Sequence, residues 1–389
     1  MTKLLFVLGT RPEAIKLFPV IRLARMLPSD FDIKVCTTGQ HREMLEPFLR
    51  LFDLRPDHDL AILRPDQTLS GIVAGVLEGL DPLLVAERPD WLLVQGDTST
   101  AMAAVLAAFH RNIPIAHVEA GLRTWDLNAP FPEEMNRQVM GRVSTLHLAP
   151  TVWSRDNLLR EGVPEDRVVV TGNTGIDSLR LARESSTLSK DVSVRYPSIA
   201  GRKLMLVTGH RRENFGQGLA DVCTAIRRLV EENQDLAVVF PVHLNPNVSE
   251  PVRRILSPAV ATGRLILDEP VDYPTFVSLL CAAHLILTDS GGVQEEAPSV
   301  GKPCLITREK TERPEGLEAG VARLVGTNTE RIVSAVEDLL NNPEANAAMS
   351  RVVNPYGDGH SAERVLAAIV QRSSSGFDLV GRSRGPSLL

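Results

Sequence analysis

Between residues 114 and 137 the chain reads PIAHVEAGLRTWDLNAPFPEEMNR, an apolar run followed by Glu119, Asp126, Glu133 and Glu134 among Arg123 and Arg137. Several carboxylates at the end of a core run suit general acid–base chemistry, in which one group takes a proton and another returns it. A further acid, Asp97, follows the run WLLVQ inside GDTST. It reads either as a helix-start acid, with Thr98 or Ser99 as the N-cap, or as a catalytic carboxylate. Glu119 is harder to read as a cap, because AGLR follows it and starts no clean helix.

Cations gather at other run ends. In GTRPEAIK (9–16) a glycine leads into a helix with Pro12 in its first turn, and Arg11 and Lys16 there suit a phosphate. The alternative is a tight turn with solvated charges. KLMLVTG ends in HRREN, where His210 beside Arg211 and Arg212 is a phosphate partner by type. After HLILTD, the residues Ser290, Gly291 and Gly292 open a helix whose first N–H groups suit a diphosphate, and Arg313 follows in TERPE. Glu295 and Glu296 lie within that helix, and one of them is placed to accept ribose hydroxyls unless both are ordinary surface acids. Ligand spacing for a metal, a nucleophile elbow and a full GxGxxG fingerprint with its downstream acid are all missing. The expectation is therefore an enzyme without metal or cofactor.

The elements that must carry these residues are short apolar runs alternating with helical patterns. They are KLLFVLG (3–9), DIKVC (32–36), WLLVQ (91–95), IPIAHV (113–118) and TLHLA (145–149), then KLMLVTG (203–209), LAVVFPV (236–242), RLILD (264–268), HLILTD (284–289) and PCLIT (303–307). Runs without alternation are buried on both faces, which implies doubly wound parallel sheets. With 389 residues and a polar stretch at 185–203, the fold class is α/β with two Rossmann-like domains, 1–185 and 200–360, and an interdomain cleft. A C-terminal helix over 361–372 has the option of packing back on the first domain, and 373–389 reads as a flexible tail.

A net charge of −6 gives no electrostatic reason to expect nucleic acid or anionic lipid. The cysteines Cys36, Cys223, Cys281 and Cys304 lack ligand spacing and read as buried reduced thiols. The first apolar run is too short for a signal peptide, with charges at Arg11, Glu13 and Lys16 directly after it. No uninterrupted apolar run reaches 18 residues, so a cytoplasmic location is expected, with no membrane partner.

Taken in order, GTRPEAIK, QGDTST, HVEAGLRT, PFPEEMNR, GHRREN, PVHLNPNV, SGGVQEEAPSVGKP, TERPEG and NPYGDG resemble the non-hydrolysing bacterial UDP-N-acetylglucosamine 2-epimerases, from residue 3 to about 370. The resemblance implies the glycosyltransferase-B architecture and interconversion of UDP-N-acetylglucosamine with UDP-N-acetylmannosamine for surface polysaccharide. It implies that Arg11 and Lys16 contact the nucleotide-sugar and that Asp97, Glu119 and Glu133 face the sugar and move protons. His210 and Ser290 would hold the diphosphate, with His210 stabilising departing UDP. Glu296 would hold the ribose, Phe276 the uracil and Arg313 the phosphates or sugar. Val271 stands where close relatives often carry a glutamine near the base, a change that a main-chain contact to uracil survives. Asp126 and Glu134 fall to loop or helix-start acids.

Some members of that family bind a second, activating substrate molecule. Gln40, Arg211 or Arg212 and His243 fit that pattern, whereas Glu43 and Asp66 replace residues the regulated members use. The resemblance also implies a homodimer through the N-terminal domain, where SGIVAGVLEGL (70–80) and AMAAVLAAF (101–109) carry small residues on several sides. A retaining glycosyltransferase of the same fold is the rival enzyme. A two-domain solute-binding protein is the rival from another class.

Overall fold

The computed structural model describes residues 1–39, 42–64, 67–185 and 191–374. Gln40, Asp66 and the segment from 375 onward lie outside the described residues, as does the side chain of Glu43. Two compact units divide the chain: Met1–Ser178 with the C-terminal segment that begins at Gly359, and Leu179–Asp358.

In the first unit the apolar runs form a parallel sheet of β1 (Thr2–Leu8), β2 (Phe31–Thr37), β3 (His58–Asp59), β4 (Trp91–Gln95), β5 (Ile115–Val118), β6 (Leu146–Ala149) and β7 (Val168–Val170). Their order is β3-β2-β1-β4-β5-β6-β7. The connecting helices are α1 (Arg11–Arg25), α2 (Arg42–Leu51), α3 (Leu69–Glu87), α4 (Ser99–His110), α5 (Glu133–Val143) and α6 (Val152–Arg160), and α7 (Thr174–Glu184) runs across the boundary at Ser178. The order reverses between β1 and β4, so ligands of such a sheet bind beyond the carboxyl ends of those two strands. GTRPEAIK leaves β1 there and GDTST leaves β4, while Glu119 directly follows β5.

The second unit repeats the device with β8 (Lys203–Thr208), β9 (Leu236–Pro241), β10 (Leu265–Asp268), β11 (Leu285–Thr288), β12 (Cys304–Ile306) and β13 (Ala322–Leu324), in the order β10-β9-β8-β11-β12-β13. Its helices are α8 (Gln217–Glu232), α9 (Pro246–Val260), α10 (Tyr273–Ala282), α11 (Gly291–Glu296), α12 (Pro314–Glu318), α13 (Thr329–Asn341) and α14 (Pro343–Ser350). The reversal falls between β8 and β11, the strands that lead into HRREN and into Asp289–Ser290. A last helix, α15 (Ser361–Ser374), belongs to the first unit, where Ala362 N donates to Asp177 Oδ1 (2.8 Å) and Trp91 Nε1 to Ser373 Oγ (3.0 Å).

Three strands are absent from the sequence reading: β3, β7 and β13, each of two or three residues at a sheet edge. β3 and β13 carry polar residues, and β7, although apolar throughout, is only three residues long, so none of them makes a run long enough to mark a strand. One helix among the described residues reaches membrane-spanning length. α3 is 19 residues long and apolar enough to cross a membrane by length and composition, although Glu78, Asp81 and Pro82 interrupt its apolar run. Its Val76, Leu80 and Leu84 are buried in one core with the alanines of α4, Leu92 and Val94. The four cysteines are free; Cys36, Cys223 and Cys304 are buried, which pushes each thiol up to about 12, and Cys281 is half-buried.

Candidate active site

Carboxylates collect at the carboxyl edge of the first sheet. β4 and β5 are paired with Gln95 opposite Val118, so Asp97 and Glu119 leave neighbouring strand ends. The cap of α4 is Thr98, whose hydroxyl accepts from Ala101 N (3.0 Å). Asp97 is therefore released from capping, and its carboxylate receives Arg137 Nε (2.8 Å) and Nη2 (2.7 Å) from α5. The Asp97 carbonyl accepts Asn136 Nδ2 (2.8 Å) from the same helix.

Glu119 is buried and sits at φ +65°, in the left-handed region that a non-glycine residue rarely adopts. Its carboxylate pairs with Lys16 Nζ from α1 and accepts Gln95 Nε2 from the end of β4. Lys16, expected on the nucleotide-sugar, thus lies against the neighbouring carboxylate. Arg11 opens α1 half-buried. Buried Glu13 secures that helix start, accepting from Gly9 N (2.9 Å), Thr10 N (2.6 Å) and Thr98 Oγ1 (2.6 Å). Burial raises its pKa, and those three bonds oppose the rise.

Glu133 is the first residue of α5, behind Pro132, and its Oε2 is buried with no hydrogen-bond partner among the described residues. Asn136 lies one turn further along the same face, so the helix that grips Asp97 also delivers Glu133. Glu134 is fully buried and organises the preceding loop: it accepts Thr124 N (3.0 Å), Trp125 N (3.2 Å) and Arg137 Nη1 (3.2 Å). Asp126 serves its own turn, through Asn128 N (3.0 Å). Arg123 is buried as well, clamped by Glu161 at 2.8 Å through both Nε and Nη2.

The second unit carries the cation set. Asp289, buried at the end of β11, accepts His210 N (2.9 Å), Arg211 N (2.9 Å) and Asn214 Nδ2 (3.3 Å), and lies 3.3 Å from His210 Nδ1. That one carboxylate fixes the HRREN loop beside Ser290. The His210 ring is exposed and stacks on His243, with centroids 6.0 Å apart. Arg211 Nε is buried with no partner among the described residues, while Arg212 is exposed.

Ser290 makes no side-chain cap bond at the start of α11. A Cβ on Gly291 would stand 2.5 Å from the Arg313 guanidinium carbon, so Arg313 lies directly over that glycine, whereas Gly292 faces open space. Arg313 is held there by Glu295 (Nε–Oε1 2.6 Å) and Glu312, and Glu312 also takes Arg308, which reaches Glu213 (2.6 Å). This ladder of alternating charges ties the loop after β12 to α11 and to the loop after β8 within the second unit. Glu295 is thereby engaged, and Glu296 accepts Tyr273 Oη (3.0 Å). Tyr273 and half-buried Phe276 share a face of α10, just after half-buried Val271, so the base and ribose candidates come together.

The family model for UDP-N-acetylglucosamine 2-epimerase matches residues 25–370. A UDP-N-acetylglucosamine 2-epimerase of Salmonella typhimurium is 52% identical over 372 residues, spanning 94% of this chain and 98% of that protein. The chain belongs to the UDP-N-acetylglucosamine 2-epimerase family. The Escherichia coli K12 member is 50% identical over the same length. Among solved structures, a Neisseria meningitidis epimerase bound to UDP-GlcNAc superposes with a TM-score of 0.91 at 43% identity, covering 95% of this chain and all of that one. A Methanocaldococcus jannaschii epimerase in complex with UDP-GlcNAc and UDP gives 0.78 at 35% identity, with the same coverage.

Membership makes the protein an isomerase of glycosyltransferase-B-like fold, as its two parallel-sheet units require. For this epimerase-family chain, residue types had marked Asp97 and Glu119 and left Asp126, Glu133 and Glu134 level, and the resemblance singled out Glu133. The partner roles of Arg137, Gln95 and Asp289 escaped that reading. Arg137 stands three residues after Glu134 in an evident helix start, which signals a helix pair and not a partner 40 residues upstream. Among the described residues no group of three or more His, Cys, Asp or Glu side chains could hold a metal ion.

Proposed function

We propose that the chain interconverts UDP-N-acetylglucosamine and UDP-N-acetylmannosamine without hydrolysis, by eliminating UDP and adding it back. The observation that carries this reading is a set of three carboxylates around one sheet edge in different surroundings. Asp97 is paired with Arg137, Glu119 with Lys16 and Gln95, and Glu133 keeps an oxygen with no partner among the described residues. Inverting a carbon needs proton-handling groups on two faces, and these three carboxylates reach the edge from three different elements.

The sugar's C2 proton is not acidic, so UDP departs from C1 first. The oxocarbenium-like centre then acidifies C2–H, a carboxylate takes that proton, and 2-acetamidoglucal remains beside UDP. UDP adds back to C1 while a proton reaches the opposite face of C2. His210, Ser290 and Arg313 serve the diphosphate that carries the departing charge, Glu296 the ribose and Phe276 the uracil. Arg11 serves the nucleotide-sugar. A glycosyltransferase would use the same nucleotide set but leaves three carboxylates at the first sheet's edge unexplained.

Incubation with UDP-N-acetylglucosamine in heavy water, followed by NMR at C2, tests the reading. UDP-N-acetylmannosamine carrying deuterium at C2 is the expected result. Epimerisation without exchange overturns the glucal route, and release of free N-acetylmannosamine overturns the non-hydrolysing assignment.

The product supplies surface polysaccharide assembly, and four free thiols fit a reducing cytoplasm. The unpaired Arg211 Nε, Arg212 and His243, beside His210, would take a second, activating substrate molecule. A hyperbolic substrate curve removes that activation. A homodimer forms through α3, whose Leu69 and Val85 are exposed and whose Ile72, Val73 and Leu77 are only partly buried.

A further inference from the structure

We propose that His117 and Asn136 are positioning residues which lock the Asp97 turn to the two elements that carry Glu119 and Glu133. Resting on the functional reading above, the inference adds how the three carboxylates are kept in one frame.

Two consecutive carbonyls of that turn are held from different sides. His117 Nε2 lies 2.7 Å from Gly96 O, and Asn136 Nδ2 lies 2.8 Å from Asp97 O. His117 belongs to β5, two residues before Glu119, and Asn136 belongs to α5, three residues after Glu133. Each element that supplies a carboxylate therefore also grips the backbone that supplies the third. Gly96 sits at φ +76°, a conformation open to glycine, and a Cβ there would approach Glu119 Oε2 at 3.9 Å. The turn can thus move if its carbonyls are released, and a displacement of about 1 Å at such a site costs on the order of a hundredfold in rate.

The chemistry fixes the tautomer. A carbonyl oxygen only accepts, so His117 Nε2 must carry the hydrogen, leaving Nδ1 as a lone pair; Nδ1 is buried with no partner among the described residues. Burial pushes the His117 pKa down to about 4. Arg123 and Arg137 oppose the charged form further, against the Gly96 bond and Asp97, which favour it. His147, opposite His117 on β6, is likewise pushed down to about 3, mainly by burial and then by His117 itself. His117 is thus a neutral donor at neutral pH, fit for holding a backbone and unfit for shuttling protons.

The test uses the full-length enzyme labelled with 15N-histidine, with His117→Gln identifying the His117 signals by difference. A neutral Nε2–H imidazole that does not titrate between about pH 5.5 and pH 8.5 is expected. An Nδ1–H tautomer, or titration in that range, overturns the proposal. In kinetics, His117→Met and Asn136→Leu should each lower kcat by about 10- to 100-fold with KM within about threefold. His117→Gln, which keeps an N–H at the Nε2 position, should recover most of the rate. His117→Gln as slow as His117→Met, or His117→Met as fast as the unaltered enzyme, overturns the proposal. Asp97→Asn separates the two levels: if it is inactive while both His117 variants run normally, only the positioning role fails. If Asp97→Asn and Glu133→Gln both turn over normally, the functional reading fails.

Discussion

Each carboxylate of the first unit meets a different neighbour, and that decides what its removal does. Asp97→Asn, Glu119→Gln and Glu133→Gln should each cut turnover by ~10²–10⁴-fold, as removal of a proton-transfer group does. Steady-state assays alongside thermal melts check this, and near-normal rates for both Asp97→Asn and Glu133→Gln would sink the assignment. His117 makes a separate prediction about stability. Its folded-state pKa is about 4, against an ordinary 6.5. Between those values the unfolded chain binds a proton that the folded chain refuses, so stability is full above 6.5 and falls as pH drops towards 4. Urea unfolding at about pH 7.5 and about pH 5 should show His117→Gln losing less stability than the unaltered chain, by on the order of 2 kcal/mol.

Among the elements, the start of α11 shows how a short glycine-led helix is made selective. Gly291 lets the Arg313 guanidinium lie over it, while Glu295 and Glu312 keep that side chain from moving away. Gly291→Ala therefore has to displace a cation held by two carboxylates. UDP binding by calorimetry should weaken roughly tenfold, through loss of the cation's placement. The melting temperature should fall as well, since Arg313, Glu295 and Glu312 are all buried and moving the cation breaks their pairs. Unchanged UDP affinity would remove Arg313 from the nucleotide set. Elsewhere the elements follow their local rules: Thr10 and Glu13 make a capping box at α1, and Thr98, Thr151 and Asp272 cap α4, α6 and α10.

For the whole molecule, α3 is the exposed apolar element that most needs a partner. Val85, near its end, is 49% exposed in a helix otherwise mixed with glycine and leucine. Placing a charge there with Val85→Glu should convert a dimer to a monomer at micromolar concentration by light scattering, because an unpaired charge is costly in an apolar interface. An unaltered chain that is already monomeric ends the dimer proposal.

How the chain folds was largely legible before any coordinates, for a physical reason. A strand buried on both faces must be apolar throughout, so the nine central strands announced themselves, with the edge strand β10 beside them, and polar residues directly after them marked the carboxyl edges. Asp97, Glu119, His210 and Ser290 stand out on that basis alone. Pairing was a different matter. Lys16 reaches Glu119 across 103 residues, Asp97 meets Arg137 across 40, and His210 meets Asp289 across 79. Local periodicity reports burial and direction but carries nothing about which strand lies beside which. The reversal of strand order at β1/β4 and β8/β11 sets those neighbours, so the sequence by itself determined the strands and the reactive residue types. Only the tertiary structure decided which charge faces which, and so that Glu133, of the three carboxylates, keeps an oxygen with no partner among the described residues.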